Sequence, residues 1–252
     1  MREVLAAVSG KESEGKSTLT VNLSVLMAQK DYRVAVIDFD PSLPALSSLC
    51  KVDDVPPTAK NVIDGFASVD DIFYSGISGV EVIPAGMSIK EFRKANLRDL
   101  LERVEESADV LFLDVPGGLC HDSVLAIYAA TSVLLVIKPE AASLEAALPL
   151  PRIIEKLKAD FAGVVLNKVE EGEVEIDDVE ALIGNVIAEI PYDEAIKKAM
   201  ASGRPVIFSS PMSESSKSFV EIAEALSVWI DSFEGERREL VAGKRLFKAL
   251  CP

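Results

Sequence analysis

Val4-Leu5-Ala6-Ala7-Val8-Ser9-Gly10-Lys11-Glu12-Ser13-Glu14-Gly15-Lys16-Ser17-Thr18 opens the chain with an apolar run, a polar loop bounded by glycines and the start of a helical segment. Gly10 to Ser17 fits G-x-x-x-x-G-K-[ST], a pattern that carries meaning where a strand precedes it and a helix follows. By average residue usage, a chance match occurs in about one chain of this length in a hundred, before the flanking elements are required. The chemistry follows from the residue types. Backbone N–H groups of Gly10, Lys11, Glu12, Ser13, Glu14 and Gly15, together with the helix start, form a cradle for the phosphates of a nucleoside triphosphate. In such a loop Lys16 neutralises the β- and γ-oxygens, Ser17 offers its hydroxyl to Mg²⁺, and Thr18 reaches the α-phosphate.

Outward from this loop, short apolar runs recur at Val34–Ile37, Val80–Ile83, Val110–Leu113, Val133–Ile137, Gly163–Leu166 and Val186–Ile190. They read as strands buried on both faces. Helical periodicity occupies Ser17–Gln29, Leu97–Val104, Ser143–Leu157 and Asp193–Met200. Strand and helix in alternation predict an α/β, doubly wound, mainly parallel sheet flanked by helices, with ligands at the carboxyl ends of the strands. One domain over residues 1–235 followed by a tail, 236–252, is the expected organisation.

Composition narrows the function classes. With 252 residues, 49% of them hydrophobic, the chain has ample apolar surface for one large core. Its net charge of -15 repels polyanions, which argues against a broad nucleic-acid face. Cys50, Cys120 and Cys251 lie far apart without a C-x-x-C pair, so neither a disulfide framework nor a cysteine metal site is expected. No run reaches the length of a membrane span, and the opening apolar stretch is too short for a secretory leader. A reducing, cytoplasmic setting is the expectation.

Lys11, directly after the first glycine, gives the loop a more specific likeness. The chain resembles the MinD/ParA family of deviant Walker A ATPases, nearest to its MinD branch, in which the loop reads G-K-G-G-x-G-K-[ST]. That resemblance implies bound ATP and Mg²⁺, an ATP-dependent homodimer in which Lys11 reaches the partner's phosphates, and a catalytic set of Lys11, Lys16 and Asp40. Ile37-Asp38-Phe39-Asp40-Pro41 resembles the family's first switch, implying that Asp38 belongs to the Mg²⁺ shell and that Asp40 orients the attacking water. Leu113-Asp114-Val115-Pro116-Gly117-Gly118 resembles the second switch, with Asp114 as the Walker B acid. Carboxylates at strand ends also serve as helix caps. Val165-Leu166-Asn167-Lys168 is similar to the base-recognition element, although Asn is a common turn residue too. Pro191, Tyr192 and Asp193, with Gly203-Arg204-Pro205-Val206, resemble the adenine-side closing segment.

Two departures bear on catalysis. Glu12 and Ser13 stand where the family keeps consecutive glycines. A side chain there either obstructs the attacking water and adds like charge beside the γ-phosphate, or turns to solvent or to Lys11 and leaves the cradle open. The first switch continues Ser42-Leu43-Pro44-Ala45, with fewer polar groups than MinD-like switches carry.

The end of the chain reverses the charge of the body: from Glu236 onward there are five basic and two acidic residues. On a helix, Leu246, Phe247 and Leu250 fall together with Lys244, Arg245 and Lys248 beside them, the arrangement of a short interfacial helix for an anionic membrane surface. It resembles the MinD membrane-targeting tail; the other reading is a frayed terminus or one packed on the body. Three functions compete: a MinD-like switch that places cell-division or similar components with an unidentified protein partner on the inner membrane face; a hydrolysis-impaired ATP-binding scaffold; and a ParA-like DNA-partitioning ATPase, which the charge disfavours. A related iron–sulfur carrier would need paired cysteines.

Overall fold

The computed structural model describes residues 1, 3–39, 57–94, 98–170, 174–232, 245–246 and 248–249. Asp40, Lys244, Phe247 and Leu250 lie outside the described residues.

The apolar runs form strands: β1 (Glu3–Val8), β2 (Val34–Asp38), β3 (Tyr74–Ser75), β4 (Glu81–Pro84), β5 (Val110–Asp114), β6 (Ser132–Ile137), β7 (Asp160–Val169) and β8 (Val186–Pro191). They make an eight-stranded sheet in the order β3-β4-β2-β5-β1-β6-β7-β8. All neighbours pair in parallel except β3 and β4. From central β1 the sheet extends outward through β5 and β2 on one side and through β6 and β7 on the other, so the crevice for ligands opens at the carboxyl end of β1.

Strand periodicity explains why the runs are apolar throughout. In β1, Val4, Ala6 and Val8 join one hydrophobic cluster while Leu5 joins the other. Leu111 and Leu113 of β5 likewise oppose Val110 and Phe112. Both faces are covered, so no position is left for a polar alternation. Helices His121–Ala129 and Leu150–Lys156 contribute to one cluster; Lys16–Gln29 and Glu214–Asp231 contribute to the other. Helix Lys16–Gln29 is buried along almost its whole length from Leu19 to Met27, which holds its amino end rigidly against β1.

The expected helix Ser143–Leu157 is two helices, Ala141–Ala147 and Leu150–Lys156. Pro149 has no N–H to continue the ladder and serves as N-cap of the second helix, leaving Leu148 exposed at the joint. No helix among the described residues is long and apolar enough to cross a membrane.

The described tail residues pack on the body. Leu246, expected to face lipid, is 0% exposed, and with Ala249 three positions on it joins the cluster containing Ala129, Ala130 and Ile154. Arg245 donates to the backbone carbonyls of Tyr128 (3.2 Å), Ala130 (2.8 Å), Leu157 (3.0 Å) and Lys158 (2.6 Å). These oxygens lie at or just past the carboxyl ends of helices His121–Ala129 and Leu150–Lys156, where carbonyls lack helical partners and a cation is favoured. Lys248 alone of the basic residues expected at the membrane is both described and exposed.

Candidate functional site: a phosphate loop with two strand-end carboxylates

Gly15 starts the helix in the left-handed region, at φ 103°, and has no side chain with which to cap it. A Cβ there would lie 2.0 Å from the Asn167 amide nitrogen, so only glycine lets the loop and β7 approach this closely. The first helical turn, Lys16-Ser17-Thr18-Leu19, contains no acidic residue. Its positive dipole end therefore favours an anion. Lys16 is buried and its Nζ donates to Ser9 Oγ at 3.1 Å, while Ser9 Oγ donates to the Lys11 carbonyl at 2.5 Å. The lysine is thus already aimed along the loop.

Side chains from neighbouring strands hold the middle of the loop. Asn167 Nδ2 donates to the Glu14 carbonyl at 2.6 Å, and Lys168 Nζ donates to the Ser13 carbonyl at 3.0 Å. Lys168 takes φ 60° where β7 shifts register against β8, which turns its side chain toward the loop. Burial, reinforced by the charge of Lys138, pushes its ammonium below the usual lysine range. Glu14 is 1% exposed and accepts from the Lys138 N–H and the Ser143 hydroxyl, each at 2.7 Å.

Asp38 and Asp114 end adjacent parallel strands and face each other in register, with Ala7 of β1 on the other side of Asp114. Asp114 is 1% exposed. Two strand-end carboxylates on the strands next to β1, and the Ser17 hydroxyl in the helix that follows the β1 loop, are hard oxygen donors of the kind Mg²⁺ takes together with substrate phosphates, so the residue types present fit that ion. After β5 the second switch folds back on the loop: a Cβ on Gly117 would lie 2.5 Å from Glu12 Cα and 2.7 Å from the Lys11 carbonyl oxygen.

A cavity of about 710 Å³ lies over this surface, bordered by Lys16, Ser17, Thr18, Asn167, Tyr192 and Met200 among others. That volume suits a nucleotide.

The nucleotide-binding domain profile of the CobQ/CobB/MinD/ParA family matches residues 5–206. The chain belongs to this family. An ATP-binding protein of Methanocaldococcus jannaschii is 33% identical over 90% of this chain and 88% of its own length. Among solved structures, the cell division ATPase MinD of Pyrococcus furiosus superposes with a TM-score of 0.79 at 29% identity, covering 91% of this chain and 100% of that one. The septum site-determining protein MinD of Pyrococcus horikoshii, complexed with Mg-ADP, gives 0.77 at 26% identity, covering 88% of this chain and 95% of that one.

As a MinD/ParA-family domain, the fold brings together most of the residues singled out from sequence. Gly10 to Thr18, Asp38, Asp114, Asn167, Pro191, Tyr192 and Asp193 all lie at, near or just past the carboxyl ends of strands of the one sheet. Lys11 is half-buried, Glu12 and Ser13 are exposed, and no ion pair joins Lys11 to Glu12 among the described residues. Asn167 spends one amide N–H on the loop, so what it still offers a base is its second N–H and its carbonyl oxygen. Asp193 caps helix Glu194–Ala201 by accepting from the Ala195 N–H at 2.7 Å, and accepts from Ser215 Oγ at 2.6 Å. Burial opposes its ionisation, but the hydrogen bonds from Ser215, the Ala195 N–H and Ser213 outweigh it and hold the carboxyl below the usual range. Asp193 therefore shapes the rim. Glu14, Lys168 and Met200 were not read as side-chain contributors from sequence; an acid inside a solvent-facing motif gives no signal that it turns inward.

Proposed function

We propose that this chain is an ATP-dependent switch of the MinD type: Mg-ATP in the cradle pairs two chains, the pair attaches to an anionic membrane surface, and hydrolysis releases it. The observation that carries the reading is the contact of Gly117 with the loop at Lys11 and Glu12. Phosphate occupancy and the position of the second switch are mechanically linked there. Helix His121–Ala129 follows that switch directly, with Ser123 Oγ donating to the Gly118 carbonyl at 2.8 Å. The far end of the same helix supplies two carbonyls to Arg245. A path of packed elements thus runs from γ-phosphate to tail, and undocking the tail would free its apolar and basic residues for the membrane.

Lys16 binds the phosphates, and Ser17, Asp38 and Asp114 would hold Mg²⁺, which when bound offsets charge on the β- and γ-oxygens. Lys11 supplies a second cation from the loop's mouth, and Asp40 is proposed to orient the attacking water. Mg-ADP in the Pyrococcus horikoshii MinD supports the ligand pair. The exposed side chains of Glu12 and Ser13 favour turnover over a dead scaffold, because the cradle behind them stays open.

ATP turnover measured with and without anionic vesicles, alongside sedimentation, tests the proposal. The switch reading expects dimers with ATP but not ADP, and measurable hydrolysis. Tight ATP binding and dimerisation with no turnover under any condition would replace it with the scaffold reading.

A further inference from the structure

Glu14 occupies the loop position just before Gly15, yet its side chain leaves the cradle and runs into the protein. Lys138 directly follows the last residue of β6, where the strand ladder has ended, and its N–H finds Glu14 Oε2; Ser143 in helix Ala141–Ala147 finds Oε1. A buried carboxylate is unfavourable unless its oxygens are satisfied, and here both accept short hydrogen bonds. The Glu14 carbonyl is held at the same time by Asn167 from β7. One residue is therefore gripped from two strands, while its neighbour Ser13 sits at φ 60° with its carbonyl held by Lys168.

We propose that the Glu14 side chain is a positioning residue, bracing the phosphate loop against the turn after β6 so that the cradle exists before nucleotide arrives. The inference rests on Gly10–Ser17 being the phosphate cradle. Glu14 faces away from the cavity and touches no phosphate; its effect passes through the backbone N–H groups on either side. With the brace removed, the Lys138 N–H and Ser143 hydroxyl lose their partners and the loop must be ordered by the nucleotide itself, which weakens binding of phosphates selectively.

Glu14→Ala removes the brace. Glu14→Gln keeps it without the charge, because the Lys138 N–H can donate to the amide oxygen while the Ser143 hydroxyl rotates to accept from the amide nitrogen. MgADP affinity by calorimetry, adenosine affinity by displacement of a fluorescent ADP analogue, and thermal unfolding are measured on all three full-length chains. The expected result is a loss of at least about tenfold in MgADP affinity for Glu14→Ala, under about twofold for adenosine, and Glu14→Gln within about threefold of wild type. Wild-type MgADP affinity in Glu14→Ala, even with a lowered melting temperature, would overturn the proposal. So would equal losses for MgADP and adenosine, or a Glu14→Gln as weak as Glu14→Ala. Absence of MgADP binding in the wild type would overturn the cradle reading itself, a result distinct from any variant-only effect.

Discussion

Lys16 shows how much of the site one side chain carries. It is buried with its Nζ on Ser9 Oγ, so in the proposed cradle it would meet the phosphates without shedding a full hydration shell. Replacing it with alanine removes a charge-assisted contact in a water-poor site and leaves the β- and γ-oxygens facing only backbone dipoles. The expected cost is about 3 kcal/mol, or roughly a hundredfold in MgATP affinity. Calorimetry on Lys16→Ala checks this, and near-wild-type affinity would mean that Lys16 does not meet the phosphates. Ser13 illustrates a different residue-scale effect. At φ 60° it sits where an L side chain costs roughly 1 kcal/mol, and Lys168 holding its carbonyl is one contact that offsets that strain.

At the scale of elements, the loop carries Glu12 and Ser13 where the resemblance implies paired glycines, and the structure gives that departure a shape. Gly117 approaches the backbone at Glu12 closely, so the exposed Glu12 lies at the seam that, in the proposed switch, moves as phosphate is lost. Replacing Glu12 and Ser13 together with glycine frees that seam. It relieves the strain at Ser13 but adds unfolded-state entropy of similar size, so stability changes by less than about 1 kcal/mol. Turnover should rise severalfold while MgATP affinity moves less; unchanged or lower turnover, with affinity intact, would place the restraint elsewhere. The same elements show what was legible. Strand runs such as Val110–Leu113 were readable because burial on both faces removes every polar position, and the loop was readable because phosphate binding demands glycines and lysine at fixed spacing. Helix Ser143–Leu157 was misread because its apolar periodicity runs on through Leu148 while Pro149 breaks the ladder. Tyr74–Ser75 is too short to leave a period. The bond from Asn167 to the Glu14 carbonyl has no sequence signal, since it depends on β7 lying beside the loop.

Across the whole molecule, the proposed membrane attachment would be a contest between two docking sites for the same segment, set by the acidic body and the basic tail. On the body, Leu246 alone buries enough apolar surface to contribute about 1.5–3 kcal/mol, and the four carbonyl contacts of Arg245 add to this. On an anionic bilayer, the apolar side chains gain a comparable burial and each basic residue about 1 kcal/mol. One chain therefore has little net reason to leave the body. In the proposed switch, two chains joined by ATP would gain the second anchor at high effective concentration, which would tip the balance. Arg245→Lys separates the two sites, because lysine keeps the charge that the membrane reads while its single ammonium cannot span carbonyls from two helices. Wild type should co-sediment with anionic vesicles in ATP and not in ADP, less so as salt rises, and a chain ending at Gly243 should not bind in either nucleotide. Arg245→Lys should bind several times more in ADP than wild type does, and approach it in ATP. Equal wild-type binding in ATP and ADP, or undiminished binding by the shortened chain, would remove the tail as a nucleotide-gated anchor. An Arg245→Lys that stays off the vesicles in ADP would show that the carbonyl clamp is not what holds the tail back.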